Sequence, residues 1–316
     1  MKKILIALVV VIVLACVWVI ATYATRNPEH RDLDAAARRG APGRFIRLSD
    51  GITHYQIDGP DSGRTVVLVH GFSVPYYIWD STAAALAGAG YRVVRYDEYG
   101  RGWSERPNVA YTADLFDRQI AQLLDSLGVR APVDLAGVSA GGAVVATFAS
   151  RHPVQARSVV LVDPVAGGRG GVSFPYDLPG VGPILWQAYV VPTMADGQMT
   201  DFAHPERFPN WVARYRDQMQ YRGFGRALLA SRRGSAGVQL DSMYRALASA
   251  GVPVLLLWGT QDKTVPFANN ASVRAAIPSA EFHAIDDAGH LPILERAALA
   301  DSLILQFLAR HPGRRD

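Results

Sequence analysis

A serine between two glycines, in Gly137-Val138-Ser139-Ala140-Gly141, constrains this chain more than any other feature. An apolar run typical of a buried strand ends directly before it, and a small, helix-compatible run begins directly after it. G-x-S-x-G between a strand and a helix is the nucleophile-elbow arrangement, in which a sharp turn leaves the serine hydroxyl exposed at the edge of a sheet. We therefore predict that Ser139 is a nucleophile; the alternative is an ordinary glycine-rich turn.

Apolar runs of strand length alternate with helix-like runs on both sides of this serine. Strands are predicted at 44–49, 52–58, 65–70, 91–96, 133–138, 158–163, 253–258 and 281–285. Helices are predicted at 79–87, 112–127, 141–150 and 291–309. This alternation is typical of an α/β fold with a mostly parallel central sheet flanked by helices.

The alternation stops between residues 165 and 250, where Gly- and Pro-rich segments precede helical patterns. We predict that this stretch is a helical cap, or lid, inserted between two strands and lying over the ligand site. Within 201–234, seven arginines are interleaved with aromatic and other apolar side chains. One interpretation is an amphipathic lid that rests on an anionic membrane face. The other is a set of helices that pack their aromatic side chains on the core and leave the arginines in water.

The N-terminus has the character of a membrane-spanning segment. Residues 4–24 carry no charge and follow Lys2 and Lys3. At about 1.5 Å per residue, a helix of this length spans the hydrocarbon of a bilayer. The two lysines favour a single-pass anchor with the catalytic domain on the extracytoplasmic side. The alternatives are a signal peptide cleaved near Ala24, which would give a secreted protein, and lipidation at Cys16.

The predicted organisation is a transmembrane anchor at 1–25, a linker at 26–43, a hydrolase-like core at 44–164 and 251–316, and the cap at 165–250. The 316-residue chain has a net charge of +4, with its basic residues scattered among acidic ones, so we expect no nucleic-acid partner. Its single cysteine, Cys16, excludes an intramolecular disulfide and a cysteine-based metal site. The sequence does not indicate an oligomeric state.

A serine hydroxyl needs an adjacent base before it can act as a nucleophile. His290 follows the last predicted strand, so we place it at the same edge of the sheet as Ser139. Asp262 follows the preceding strand and is predicted to hold the imidazole in one tautomer. The chain order Ser139, Asp262, His290 is the one expected after such an elbow. The rival carboxylates are Asp163, Asp286 and Asp287.

The oxyanion that forms during acyl transfer needs two fixed N–H donors. One predicted donor is the backbone N–H of Ala140, directly after the nucleophile. The other is the backbone N–H of Phe72, in the loop after the first buried strand, and His70 is interpreted as the residue that orients this loop. The predicted chemistry uses only these groups, so we expect no organic cofactor and no metal.

Five motifs stand in the order seen in the α/β-hydrolase superfamily. They occupy residues 70–72, 97–107, 137–141, 259–262 and 289–290. From about residue 44 to 310, the chain resembles the capped branch of that superfamily, which includes esterases, monoacylglycerol lipases, meta-cleavage-product C–C hydrolases, epoxide hydrolases and haloalkane dehalogenases. The resemblance implies an α/β-hydrolase fold with a Ser-His-Asp triad, and it makes residues 97–104 a structural turn.

Two departures narrow the choice within this branch. Epoxide hydrolases and haloalkane dehalogenases carry an aspartate where this chain has Ser139, and C–C hydrolases usually carry a tryptophan where it has Leu291. The resemblance therefore implies hydrolysis of a small-molecule carboxylic ester. The predicted anchor suggests a lipid-like substrate, such as a monoacylglycerol or a lysophospholipid. The alternatives are a C–C hydrolase of meta-cleavage-type dienoates and a non-catalytic binding module with this fold.

Overall fold

A computed structural model describes residues 1–167 and 170–312 of the chain. In these residues eight strands form one sheet in the order β1-β2-β4-β3-β5-β6-β7-β8. The strands are β1 (Arg44–Arg47), β2 (Ile52–Asp58), β3 (Thr65–Val69), β4 (Arg92–Tyr96), β5 (Val133–Val138), β6 (Ala156–Val162), β7 (Val254–Gly259) and β8 (Glu281–Ile285). The pairs β1–β2 and β2–β4 are antiparallel, and the other pairs are parallel. The predicted mostly parallel sheet is confirmed.

Helices surround this sheet. The α-helices are α1 (Lys2–Arg26), α2 (Ala35–Arg38), α3 (Asp80–Gly88), α4 (Ala113–Ser126), α5 (Ala140–Arg151), α6 (Val181–Leu185), α7 (Met194–Gly197), α8 (Trp211–Met219), α9 (Phe224–Gly234), α10 (Leu240–Ser249), α11 (Asn270–Ala276), α12 (Pro292–Glu295) and α13 (Ala297–Arg310). Short 3₁₀ turns lie at Tyr76–Trp79, Val191–Thr193, Gln198–Asp201, Pro205–Arg207 and Phe267–Asn269, and Trp186–Val190 is a π-helical turn.

The two faces of the sheet carry separate apolar clusters. One cluster joins the sheet to α4, α5, α10 and α11, and the other joins it to α3, α13 and the cap helices. Every side chain of β3, β5 and β7 is buried. Strands covered on both faces need mostly apolar side chains, which is why these segments are nearly continuous apolar runs rather than alternating ones; the exceptions include Asp134 of β5, whose buried carboxylate is paired with Arg64.

The segment between β6 and β7 forms the predicted helical cap. Its helices α6 to α9 cover the end of the sheet where β5, β7 and β8 finish. Its last helix, α10, packs on α5 and α11 instead, and Tyr244 and Leu247 join the apolar cluster below the sheet. By packing, α10 thus lies with the core helices, and the predicted cap limit at residue 250 stays a prediction.

Two further details differ from the sequence prediction. The predicted helix at 291–309 is divided into α12 and α13, because Arg296 leaves the helical conformation (φ −128°, ψ 43°) and donates a hydrogen bond to the Asp286 carbonyl. The predicted core limit at 316 falls outside the described residues, which end at 312. Within the predicted cap, residues 168 and 169 also lie outside them.

The N-terminal helix α1 is long and apolar enough to cross a membrane, and its apolar side chains are exposed. A membrane anchor and a signal sequence share this character. The residues after α1 attach to the cap: the backbone N–H groups of His30 and Arg31 donate to the Gln220 carbonyl, and Arg222 donates to the Arg31 carbonyl. Part of the predicted linker at 26–43 is therefore fixed to the cap.

Candidate active site

Ser139 lies at the turn between β5 and α5. Its backbone has φ 55° and ψ −120°, a conformation that side-chain-bearing residues rarely adopt and that clusters at functional sites. The turn is possible because its flanking glycines lack side chains. A Cβ on Gly137 would lie 2.3 Å from the Gly141 carbonyl oxygen, and a Cβ on Gly141 would lie 2.3 Å from the His70 carbonyl oxygen. The two close approaches, which only glycine allows, keep Ser139 in its strained conformation at the sheet edge.

His290 and Asp262 lie on the loops that follow β8 and β7. The Nδ1 atom of His290 lies 2.7 Å from Oδ2 of Asp262, and both side chains are buried. The other oxygen of Asp262 accepts the backbone N–H groups of Thr264 and Val265 at 2.8 and 2.9 Å. A carboxylate held in this way fixes the imidazole with Nδ1 as donor, which leaves Nε2 to act as the base.

Ser139 and His290 line the same cavity. Among the described residues, the Ser139 hydroxyl makes no hydrogen bond to His290. Catalytic hydrogen bonds are often long before the substrate binds and shorten in the complex. The missing hydrogen bond is therefore compatible with Ser139 and His290 acting as nucleophile and base. The structure thus brings the predicted triad residues to one edge of the sheet, and their catalytic roles stay predictions.

Asp163, the first rival carboxylate, lies behind Asp262. Its Oδ1 atom accepts the Gly259 N–H at 2.8 Å, and the ligand atoms of Asp163, Asp262 and His290 all lie within 4.8 Å of one another. Burial, followed by the nearby charge of Asp262, raises the pKa of Asp163 well above its usual range. Asp163 is therefore neutral when Asp262 is ionised.

Of the remaining rival carboxylates, Asp286 is exposed and Asp287 has other partners. Oδ1 of Asp287 lies 2.5 Å from Nε2 of His204, and Arg207 and Arg296 approach its other oxygen. These contacts hold Asp287 on the surface between the cap and α13.

The two predicted oxyanion donors come from different loops, Phe72 from the loop after β3 and Ala140 from the turn that carries Ser139. Both Phe72 and Ala140 line the cavity with Ser139, and within the described residues neither backbone N–H donates to a protein acceptor. The loop that carries Phe72 passes close to the nucleophile, since a Cβ on Gly71 would lie 3.2 Å from the Ser139 Cβ. Free N–H groups beside a nucleophile are what an oxyanion requires.

His70 holds this loop in place. Its Nδ1–H donates to the Gly71 carbonyl at 2.7 Å, and its Nε2 accepts the Glu98 backbone N–H at 2.9 Å. Burial lowers the pKa of His70 to about 4, so the ring stays neutral and can do both at once. His70 thus ties the loop after β3 to the turn after β4 and acts as a positioning residue.

Asp97, directly after β4, has a structural role in the turn that follows. Its carboxylate accepts hydrogen bonds from the backbone N–H groups of Tyr76 and Trp103, and its Oδ2 lies 2.8 Å from Nδ1 of His54. The next residue, Glu98, faces the active-site cavity. Burial raises the pKa of Glu98 to about 7.

Asp201 is a second cavity carboxyl that the sequence analysis does not identify. It comes from the cap: its carbonyl accepts the His290 backbone N–H at 2.7 Å, and its Oδ1 accepts the Thr264 hydroxyl at 2.5 Å. Burial raises the pKa of the Asp201 carboxyl. No periodic pattern marks this position, because it lies in a 3₁₀ turn between short cap helices.

The cavity has a volume of about 660 Å³ and lies between the sheet edge and the cap. This volume is typical of small-molecule sites. Its cationic side chains are Arg101 and Arg232. Arg101 is fully buried and donates to the carbonyls of Phe72 and Tyr99, whereas Arg232 lies 4.9 Å from the centre of the Phe72 ring.

Comparison with known proteins agrees with the observed fold. The family model described as "alpha/beta hydrolase fold" matches residues 64–297. The 2-hydroxy-6-oxononadienedioate/2-hydroxy-6-oxononatrienedioate hydrolase of Paraburkholderia phymatum is 28% identical over 292 residues, covering 85% of this chain and 96% of that protein. The hydrolase of the same name from Escherichia coli K12 is 29% identical over 290 residues, with 85% and 96% covered.

Solved structures give the same fold. The enol-lactonase from Burkholderia xenovorans LB400 superposes with a TM-score of 0.73 at 25% identity, covering 84% of this chain and all of that one (100%). A thermophilic esterase from Thermogutta terrifontis superposes with a TM-score of 0.70 at 22% identity, covering 85% and 100%.

Proposed function

Because the chain belongs to the α/β-hydrolase-fold family of hydrolases, we propose that it is a serine hydrolase with Ser139 as nucleophile, His290 as general base and Asp262 as the carboxylate that orients His290. The observation that carries this proposal is the 2.7 Å contact between His290 and Asp262, beside a strained serine and beneath a cap. A base held by a buried carboxylate next to a nucleophile is the arrangement that acyl transfer needs.

The proposed reaction has two halves. His290 takes the proton of Ser139 as the hydroxyl oxygen attacks the substrate carbonyl, and the N–H groups of Phe72 and Ala140 stabilise the oxyanion. The intermediate collapses to an acyl-serine as His290 gives the proton to the leaving group. Water then attacks the acyl-serine with His290 again as base, which releases the acid and restores Ser139.

For the bond that is cleaved, we place a carboxylic ester first. Leu291 stands where C–C hydrolases usually carry tryptophan. Among the described residues, the arginines that line the cavity are Arg101 and Arg232, so a dianionic substrate would find few cations to pair with. Of the two cavity arginines, Arg101 is already bonded to backbone carbonyls. An ester without charge near the reacting carbonyl avoids this mismatch.

The second candidate is C–C hydrolysis of a dienoate that carries carboxylates. The names of the curated relatives favour it over ester hydrolysis, since those proteins are named as hydrolases of nonadienedioates. Arg232, at the cavity beside Phe72, supplies one cation for a carboxylate. At 28% identity the two candidates need an experiment to separate them.

The deciding experiment compares two substrate classes on the full chain and on Ser139→Ala. One class is a series of p-nitrophenyl esters of increasing acyl length, and the other is a 2-hydroxy-6-oxo dienoate. Turnover of esters that depends on Ser139 supports the first candidate, and turnover of the dienoate alone supports the second. A wild-type chain that neither turns over these substrates nor reacts with a fluorophosphonate probe would overturn the proposal in favour of a binding module.

We also propose that α1 is retained as a single-pass anchor with the catalytic domain on the extracytoplasmic side. Its length and apolar character support this, as do Lys2 and Lys3 before it. Membrane fractionation with N-terminal sequencing tests the proposal. A soluble chain that begins near Thr25 would instead identify α1 as a cleaved signal peptide.

A further inference from the structure

A second cavity, of about 1000 Å³, lies between α1 and the cap. Its walls include Ile20 and Tyr23 from the last turns of α1, and Ile184 and Trp186 from the cap. We propose that this cavity binds the apolar chain of a membrane amphiphile on its way to the active site. The inference rests on the proposed function, because it requires α1 to be a retained anchor and the substrate to be lipid-like.

The first supporting observation is that the two cavities share a wall. Tyr111, Thr112 and Gly234 line both of them. The wall is thin, because Gly234 at the end of α9 has no side chain and a Cβ there would lie 1.9 Å from the Tyr111 carbonyl oxygen. The second cavity is therefore adjacent to the cavity that contains Ser139, and at Gly234 only backbone separates them.

The second observation is an exposed apolar surface beside α1. Phe174 and Val181 are 74% and 52% exposed, and Leu178 and Ile184 are also exposed. These residues lie on or next to α6, which contacts α1. Exposed apolar side chains that continue from a membrane-spanning helix fit the interfacial region of a bilayer rather than water.

The second cavity also carries positive charge, which suits the polar headgroup of a lipid. Arg226 and Arg233 line the second cavity, and their guanidinium groups donate to the carbonyls of Arg106 and Tyr176. Neither arginine forms an ion pair with a carboxylate within the described ranges. Cations without acidic partners beside an apolar surface favour anionic headgroups at the membrane face.

The third observation is that the segment after α1, which leads from the cavity wall, is hydrogen-bonded to the cap. Glu29, three residues after α1, accepts the backbone N–H groups of Gly223 and Gly225 at 2.6 and 2.7 Å. Its Oε1 also accepts the side-chain amide of Gln187 at 2.9 Å, within the π-helical turn of the cap. These hydrogen bonds to the half-buried Glu29 carboxylate fix the cap relative to the C-terminal end of α1.

The test uses the full chain with Ser139→Ala, in vesicles of phosphatidylcholine and phosphatidylglycerol that contain a monoacylglycerol with a diazirine in its acyl chain. Photocrosslinks are mapped by mass spectrometry. We expect them in residues 20–23, 107–112 and 183–187. Because this variant lacks the nucleophile, the readout does not depend on ester turnover.

Two substitutions should lower crosslinking about tenfold, because each excludes a few methylenes of the chain from the cavity. Ile184→Glu puts a charge in the wall, and Ala110→Trp fills the space from an exposed loop. The matched control is Val154→Glu, which makes the same kind of change at an 83% exposed residue at the opposite end of the sheet. Thermal unfolding confirms that each variant is folded.

The outcomes separate this inference from the proposed function. Crosslinks that Ile184→Glu and Ala110→Trp abolish and Val154→Glu keeps support the cavity, even where the wild-type chain hydrolyses no ester. Ester turnover by the wild type with no crosslinks in these segments overturns the cavity and leaves the hydrolase proposal standing. Equal crosslinking in all three variants, or a mature chain without α1, also overturns it.

Discussion

The sheet edge and the cap line one cavity, but different interactions hold them in place. At the sheet edge, Ser139, Asp262 and His290 each follow a strand whose neighbours fix its register through parallel hydrogen bonding. The cap consists of short helical turns, and its residues, such as Asp201, take their positions from contacts with loops of the core. The proposed catalytic groups thus follow strands whose register is set by backbone pairing, whereas cap residues such as Asp201 are held by contacts with loops of the core.

Because of this difference, substrate preference can change while the chemistry of the reaction stays the same. A fold that fixes its nucleophile and base through the sheet can change its cap without disturbing the chemistry. Relatives with the same sheet carry names as different as nonadienedioate hydrolase, enol-lactonase and esterase. The comparison predicts large effects on rate from the sheet edge and modest effects from the cap, and the following predictions test it in that order.

The largest expected effect belongs to the nucleophile. Ser139→Ala should lower kcat by about 10⁵-fold, because no other group can form the acyl-enzyme. The matched control is Ser150→Ala, which removes a hydroxyl from the other end of α5, where it donates to the Thr147 carbonyl. Steady-state kinetics provide the measurement, on whichever of the two substrate classes the wild type turns over. Comparable rates for Ser139→Ala and wild type would show that Ser139 is not the nucleophile.

The next effect separates the two buried aspartates. Asp262→Asn should lower kcat by about 10⁴-fold, since an amide can neither hold the productive tautomer nor stabilise the imidazolium of His290. Asp163→Asn should change kcat by less than about tenfold, because Asp163 is already neutral and an amide oxygen still accepts the Gly259 N–H. If kinetics rank the two variants the other way round, Asp163 is the partner of His290.

The sequence predicts the sheet edge well for a physical reason. Continuous apolar runs such as 65–70 and 253–258 are required wherever a strand is covered on both faces, and glycines are required at 137 and 141 because a Cβ would clash with backbone. Such local demands are visible in the residues themselves. The strand pattern, the fold class and the order of the motifs are therefore predictable from the chain alone.

The cap is less predictable because its contacts are long-range. Asp201 and His290 are far apart in the sequence and come into contact only in the folded chain. Likewise, α10 would have the same helical pattern whether it packed on the cap or on α5. The buried Glu98 lies in a block predicted to be a structural turn, and its carboxyl also lines the cavity, which the sequence pattern does not indicate. Sequence periodicity gives the face that a helix buries but does not identify its partner.

A pH-dependent effect on stability is expected at Glu98. Burial raises the pKa of its carboxyl from 4.5 to about 7, so the folded chain holds a proton that the unfolded chain releases between these values. Stability contributed by the neutral form is complete below pH 4.5 and is lost as the pH rises to 7. Glu98→Gln keeps a neutral side chain, so its free energy of unfolding relative to wild type should rise by about 3 kcal/mol between pH 4.5 and 8.

Chemical denaturation of both proteins across this pH range measures the difference. Asp97 is unsuitable as a control because its carboxylate holds the turn, so the exposed Glu206 of the cap serves instead. Glu206→Gln should leave the pH profile of wild type unchanged. A Glu98→Gln profile parallel to that of wild type would show that Glu98 ionises normally in the folded chain.

A smaller effect is expected where α1 meets the cap. Glu29→Gln should lower the free energy of unfolding by about 2 kcal/mol, because the carboxylate accepts two backbone N–H groups in charge-assisted hydrogen bonds. Limited proteolysis should then cut the segment after α1 faster than in wild type. The control is Glu281→Gln on β8, far from the cap, and unchanged proteolysis in Glu29→Gln would mean that the segment is a free tether.

The smallest effect concerns the cap arginines and decides between the two interpretations of their pattern. Arg216 and Arg222 are exposed and pair with Asp196 and Asp32 at 2.7 and 2.8 Å, while the neighbouring aromatic side chains of Tyr215 and Phe224 are buried. Exposed pairs contribute little, so Arg216→Gln should change the free energy of unfolding by less than about 0.5 kcal/mol. Because these arginines already face carboxylates, binding of the chain without α1 to anionic vesicles should also stay unchanged. A marked loss of vesicle binding would favour the amphipathic-lid interpretation, and would move the membrane-facing surface from Phe174–Ile184 to α8.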